Sequence, residues 1–339
     1  MIIVMDNKKI TQKELDEIVG LIEKAGLKAH ISKGSQKTIV GVIGDESKLD
    51  KEVIESYDFV ESVMPIQKPY RRAAKESHPE RTIVDVEGVK FGGKDIVMIA
   101  GPCSVESEEQ MFTIANALKK MGVKVFRSSA YKPRTSPYAF QGLGLEGLKI
   151  IKKVKDETGL IVETEVMDTR NVETVAKYVD IIRVGARNTQ NFDLLKEVGK
   201  VNKPVILKNG LSTTVEEWLY SAEYIMNEGN RDIILCERGI RTFETATRNT
   251  LNLSVIPILK ELTHLPVIVD PCHAAGRRGP IPALSRAAIA VGADGLLIEV
   301  HNDPAHALSD QAQQLTPQEF EKLYSECKKV ALAIGRKLV

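Results

Sequence analysis

Eight short apolar runs, spaced by roughly 25–40 residues, constrain this chain more than any other feature. They are IVMIA (96–100), VKVFRS (123–128), LIVETEV (160–166), DIIRVG (180–185), PVILK (204–208), DIILCE (232–237), PVIVD (266–270) and GLLIEV (295–300). Runs this short and this apolar read as strands covered on both faces, as in a parallel sheet. Helical stretches separate them, several with start signals: Ser107 with Gln110, Thr213 with Glu216, and TPQE at 316–319. In the last, Thr is the N-cap, Pro opens the helix and Glu completes a capping box. Eight such βα units predict an α/β fold, a TIM (β/α)8 barrel over residues 82–339. An open doubly wound sheet is the weaker alternative, because no glycine fingerprint follows the first run.

The first 66 residues have a different rhythm. IIVM, LKAHIS, KTIVGVIG and FVESVMPI read as strands, and TQKELDEIVGLIEKAG as a helix capped by Thr11 and Glu14. With a second helix near 48–56, the order βαββαβ predicts a small ferredoxin-like domain over residues 1–66. QKPYRRAAKESHPER (67–81) is charged and aperiodic and reads as a linker, and TIVDVEGVKFGGK as a hairpin entering the barrel.

Composition removes several functions. Lys and Arg number 47 against 46 Asp and Glu, so no overall field draws nucleic acid or a membrane surface. No run approaches the ~20 apolar residues of a membrane span, and MIIVMDNKKI lacks the apolar core of a signal peptide. The four cysteines are far apart with no C-x-x-C pair, which argues against a disulfide framework or structural zinc and for a reduced, cytoplasmic protein.

In a parallel barrel the chemistry sits at the carboxyl ends of the strands. Two groups stand there. Arg127, Lys132, Arg134, Arg187, Lys208 and Arg238 come from strands two, four, five and six. Any one of them has an ordinary explanation in a solvated loop. Gathered at one mouth they repel one another, and the arrangement calls for a small ligand with two or more anionic groups. The second group is Cys103, His273 and Glu299, with Asp310 able to reach in from beyond strand eight. Barrel closure makes strands seven, eight and one neighbours, and a mixed S/N/O set suits Mn, Fe, Zn or Co. A buried cysteine and a hydrogen-bonded histidine are the plain alternative, and His301 is a rival ligand.

At these residues the sequence resembles 3-deoxy-D-arabino-heptulosonate-7-phosphate (DAHP) synthase, type I beta branch. IAGPCSVE, AYKPRTSPYAFQGLG, GARNTQNF, ILCERGIRTFE, DPCHAAGRR, GLLIEVH and ALSDQAQQL are similar to its barrel motifs, in order, and the first domain to its regulatory extension. The resemblance implies condensation of phosphoenolpyruvate with erythrose 4-phosphate on a divalent metal ion, the first step of the shikimate pathway. It places the ion on Cys103, His273, Glu299 and Asp310. The phosphoenolpyruvate carboxylate goes to Arg127 and Lys132, and its phosphate to Arg187, Lys208 and Arg238. The tetrose phosphate goes to Arg134, Thr135 and Ser136, with Pro133 and Pro137 restricting the loop. Lys132, His273 and Glu165 would be catalytic, Glu165 orienting water or else pairing with Lys132 or Lys208. An aromatic amino acid effector is implied at HISKG (30–34), with His30 and Ser32 facing it, and a homotetramer is usual for the family.

Some positions depart from the family pattern. Ser128 and Ser129 replace two glycines, which sets side chains at the substrate floor, and Arg183 replaces a neutral residue. Asn209 and Leu211 alter the segment after Lys208. Cys272 replaces a serine and reads as an inert small residue or as a disulfide partner for Cys103. The alternative functions are 3-deoxy-D-manno-octulosonate 8-phosphate synthase, which carries K-A-N-R-S in place of KPRTS, and a phosphoenolpyruvate-binding paralogue without turnover.

Overall fold

A computed structural model describes residues 1–64 and 70–339. The chain divides into two compact units, Met1–Arg71 and Arg72–Val339.

In the first unit, strands β1 (Ile2–Asp6), β2 (Lys28–Lys33), β3 (Lys37–Ile43) and β4 (Val60–Met64) form one sheet in the order β2-β3-β1-β4. All three pairings are antiparallel. The helix Gln12–Lys24 starts at Thr11, whose side chain closes a capping box with Glu14. Strand alternation sends Ile3, Met5, Val40, Val42 and Val63 into a core shared with Leu15, Ile18 and Ile22. The opposite face leaves Ile39, Ile43 and Met64 exposed. His30 and Ser32 lie on that open face, in register with Gly41 and Ile39. The expected ligand-facing turn at 30–34 is therefore a strand as far as Lys33, because the polar segment pairs with β3 over its whole length. The last two residues of the fourth strand read from sequence, 65 and 66, and the linker residues 67–69 lie outside the described residues.

The second unit opens with Ala73 and Ala74 buried and Ala74 bridged to Thr263. The backbone N–H groups of Arg72 and Ala73 both donate to the Glu223 carboxylate, at 2.9 Å. A hairpin follows, β5 (Val84–Val86) with β6 (Val89–Phe91). Then come the eight parallel strands β7 (Val97–Gly101), β8 (Val125–Arg127), β9 (Ile161–Val166), β10 (Ile181–Val184), β11 (Val205–Lys208), β12 (Ile233–Glu237), β13 (Val267–Val269) and β14 (Gly295–Glu299). They close into a barrel in chain order, with β14 paired to β7. Inward residues near the strand starts, among them Val97, Val125, Ile161 and Ile181, share one core with Val84, Val86, Val89 and Phe91 of the hairpin. The hairpin thus covers the amino end of the barrel core, and a cavity opens at the carboxyl end.

The helices start where short polar side chains can hold the free N–H groups of the first turn. Ser107 accepts from the Gln110 N–H, and Thr316 and Glu319 form a capping box. The start anticipated at Thr213 falls one residue later, at Thr214 with Glu217, because the Thr213 hydroxyl accepts from the Gly210 N–H.

Candidate active site

Closure of the ring sets Gly101 opposite Glu299, and Cys103 follows two residues beyond that pair. Cys103 Sγ lies 3.1 Å from Asp310 Oδ2, and the ligand atoms of Cys103, Glu299 and Asp310 all fall within 4.8 Å of one another. His273 stands just outside that trio, its Nε2 3.6 Å from Glu299 Oε1 and 3.9 Å from Asp310 Oδ2. Its Nδ1 is 2.7 Å from Asp270 Oδ2, so the Asp270 carboxylate aims Nε2 at the trio. Asp270 also accepts from Lys208 Nζ at 2.5 Å. His301 is not a rival ligand, since its Nε2 faces Glu106 at 3.4 Å.

The charges in this cluster tell how it behaves. Burial pushes the Cys103 thiol up to about 12, Glu299 adds to the rise, and Lys132 opposes it. Lys132 Nζ lies 2.8 Å from the sulfur. Burial lowers His273 below its ordinary value against the pull of Asp270, which leaves a neutral imidazole with a free lone pair. Arg127 and Lys132 offset part of the charge of two carboxylates and a thiol crowded together, and a metal cation would offset the rest. The donor set of one sulfur, one nitrogen and carboxylate oxygens fits a borderline divalent ion.

Beside the cluster opens a cavity of about 460 Å³ with a cationic wall. Lys132, Arg134, Arg187, Lys208 and Arg238 line it, as do Thr135 and Ser136 of the exposed loop and Glu165, His273 and Asp310. Gly142 holds that loop in shape, with φ +92° and a position where a Cβ would strike the Ala130 carbonyl. Arg127 is not in the wall. It is fully buried, with Nη1 2.5 Å from Glu299 Oε1 and Nε 3.6 Å from Glu163 Oε1.

Glu165 pairs with neither Lys132 nor Lys208. Its Oε2 accepts from Arg183 Nη1 at 2.9 Å, while Arg183 Nε donates to Glu163 Oε2 at 2.9 Å and Nη2 to Ser129 Oγ at 2.8 Å. Burial would raise the Glu165 carboxyl, but Arg183 first, then Lys132 and Lys208, hold it below its usual value. Gly185 makes room for it, because a Cβ there would collide with the Glu165 carboxylate. The departures from the family pattern therefore interlock. Ser128 and Ser129 are buried outside the cavity wall and do not crowd its floor, and Ser129 fixes Arg183. Asn209 donates to Glu237 Oε2 at 2.6 Å and accepts from the Arg238 N–H at 2.9 Å, bracing the end of β12. Cys272 is a free buried thiol, like the other three cysteines, and its Sγ accepts from the Glu299 N–H at 3.3 Å. No disulfide joins it to Cys103.

Arg183, Arg241 and Arg248 also line the cavity. Arg241 and Arg248 were legible only as further cations in the long segment after β12; Arg183 was visible as a charge without a role. Asp270 ends an apolar strand and caps the helix that follows, accepting from the His273 N–H at 3.0 Å; Asp followed by Pro is a helix-start signal that sets His273 in the first turn.

Comparison with known proteins agrees with this architecture. The family model described as DAHP synthetase I family matches residues 75–335, and the one described as DAHP synthase ferredoxin-like domain matches residues 1–68. The chain is 51% identical over 328 residues to phospho-2-dehydro-3-deoxyheptonate aldolase of Thermotoga maritima, covering 97% of each. The crystal structure of phospho-2-dehydro-3-deoxyheptonate aldolase (DAHP synthase) from Thermotoga maritima superposes with a TM-score of 0.94 at 50% identity, over 100% of this chain and 99% of that one. A 2-dehydro-3-deoxyphosphooctonate aldolase from Koribacter versatilis is 36% identical over 251 residues, 68% of this chain and 89% of its own length, so its match leaves nearly a third of this chain uncovered. With both domains matched in order and a relative 51% identical over nearly the whole length, the chain belongs to the DAHP synthetase I family.

Proposed function

We propose that the barrel mouth condenses phosphoenolpyruvate with erythrose 4-phosphate and water to give 3-deoxy-D-arabino-heptulosonate 7-phosphate and inorganic phosphate. The observation that carries this reading is a cavity with a cationic wall in which Asp310 and His273 also stand, Asp310 belonging at the same time to the buried cluster with Cys103 and Glu299. Arg187, Lys208 and Arg238 hold the phosphoenolpyruvate phosphate, and Lys132 its carboxylate, with Arg127 bracing the floor through Glu299. Arg134, Thr135 and Ser136 take the tetrose phosphate at the rim. A divalent ion (Mn, Fe, Co or Zn) on Cys103, His273, Glu299 and Asp310 supplies Lewis acidity to the aldehyde oxygen when bound.

The two anchored substrates meet in near-attack geometry, which is where most of the barrier is saved. C3 of the enol phosphate bonds to the aldehyde carbon, and the aldehyde oxygen takes a proton, for which the Lys132 ammonium is the donor in reach. Water adds to C2, losing its proton to Glu165, which Arg183 keeps ionised and oriented. The C2–O bond to phosphate then breaks with its electron pair going to the phosphate, the C2 hydroxyl gives its remaining proton to that leaving phosphate, and the C2 carbonyl forms.

The same reading assigns the first domain to an aromatic amino acid effector, supported by its open sheet face with His30, Ser32 and exposed Ile39 and Ile43. It also assigns the chain to the cytoplasm and to a homotetramer. Phosphate release decides among the functions. Erythrose 4-phosphate is expected to exceed arabinose 5-phosphate by about 100-fold in kcat/KM. The reverse preference indicates the octulosonate reaction, and consumption of phosphoenolpyruvate with neither acceptor indicates a binding protein.

A further inference from the structure

The segment after β14 carries two neighbouring glutamines, both fully buried, that take no part in the cavity wall. Gln313 Nε2 donates to Glu299 Oε2 at 2.5 Å, while Arg127 serves the other carboxylate oxygen. The Oε1 of Gln313 is buried with no hydrogen-bond partner among the described residues. A buried unpaired oxygen is unfavourable, so the glutamine is explained by its bond to Glu299 and not by packing. Gln314 turns the other way. Its Oε1 accepts from the Cys103 N–H at 2.9 Å, and its Nε2 donates to the Ser309 carbonyl at 2.8 Å, one residue before Asp310.

The backbone around them is tied down at both ends. Leu315 N–H donates to the Glu299 carbonyl and His301 N–H to the Leu315 carbonyl, both at 2.9 Å, so the pair rides on the end of the strand. Asp310 has φ +48°, a left-handed conformation that a non-glycine residue keeps only when its surroundings enforce it. Ser309 supplies part of that enforcement through its hydroxyl contact with Ser104 at 2.8 Å, and the Gln314 bond supplies the rest.

We propose that Gln313 and Gln314 are positioning residues for the metal site, one fixing the Glu299 carboxylate and the other tying the Cys103 loop to the Asp310 turn. This rests on the metal-site reading given above. Partners that orient ligands set affinity through pre-organisation, and their loss typically costs 10–100-fold in metal binding.

The test uses cobalt(II) on the full-length chain, reading the dissociation constant by chelator competition and the thiolate-to-cobalt absorption band. Cys103→Ser must abolish that band in the otherwise native protein; if the native chain shows no such band, the metal-site reading fails and the proposal falls with it. Given the band, Gln313→Met and Gln314→Met are expected to weaken cobalt binding by about 10–100-fold and to weaken or shift the band. Binding within twofold of native, with an unchanged band, overturns the proposal while the metal site stands. Should a Met variant not fold, Gln314→Glu is read in its place. It keeps an acceptor for the Cys103 N–H and loses the donor to Ser309, so a loss of about tenfold is expected and none contradicts the account.

Discussion

The two sides of the barrel mouth are built differently. On the side of β13, β14 and β7, each group in the cluster has a protein partner: Asp270 on His273, Arg127 and Gln313 on Glu299, Lys132 on Cys103 and Arg248 on Asp310. Cys103 and Glu299 are wholly out of solvent. On the opposite side, the loop carrying Arg134, Thr135 and Ser136 is half-buried to exposed, and Tyr138 at its tip is 97% exposed. The first side is pre-organised by the fold; the second is shaped by few contacts and depends on its ligand. Such a division suits a reaction in which an ion must be held in fixed geometry while two phosphorylated substrates enter and leave.

Substitutions should separate the sides by size and by kind of effect. Cys103→Ala removes a proposed ligand, and kcat is expected to fall by more than about a thousandfold with little change in melting temperature. Arg183→Gln removes the ion-pair partner of Glu165 and leaves Glu163 with Arg127 alone, at 3.6 Å, and denaturant unfolding should show a loss of about 3–5 kcal/mol. The same variant has a signature in pH. Glu165 is held below its usual value, so its ionised form, and the stability that goes with it, are present above that value and lost as pH falls through the depressed one. Without Arg183, burial dominates, the Glu165 carboxyl rises, and the acid limb of kcat should move to higher pH; an unmoved limb would remove Glu165 as the water's base. Arg134→Ala, on the open side, is expected to raise the KM for erythrose 4-phosphate about tenfold and leave that for phosphoenolpyruvate within twofold. Tyr138→Ala should change kcat/KM by less than about twofold, since an exposed ring makes little contact.

The barrel was legible because each of its strands is buried on both faces, and a short apolar run between helical segments has few other solutions. The gathering of Cys103, Glu299 and Asp310 was legible because closure of the ring is a topological fact that joins distant residues. What stayed hidden depends on side-chain direction. Arg127 reads as a cavity cation, yet its guanidinium turns beneath Glu299. Glu163 sits in an apolar run with no hint that Arg183 on the next strand neutralises it. Gln313 and Gln314 carry no charge and so raised no signal. His30 and Ser32 lie on an extended strand and not in the turn, since a polar edge strand looks like a loop until its pairing partner is known.

A crystal structure of the chain with manganese and phosphoenolpyruvate, read with anomalous scattering, tests the central claim most directly. The account predicts one ion within bonding distance of Cys103 Sγ, His273 Nε2 and the Glu299 and Asp310 carboxylates, with the ligand's phosphate on Arg187, Lys208 and Arg238. An ion bound elsewhere, or one that leaves the Cys103 sulfur beyond coordination range, would contradict it.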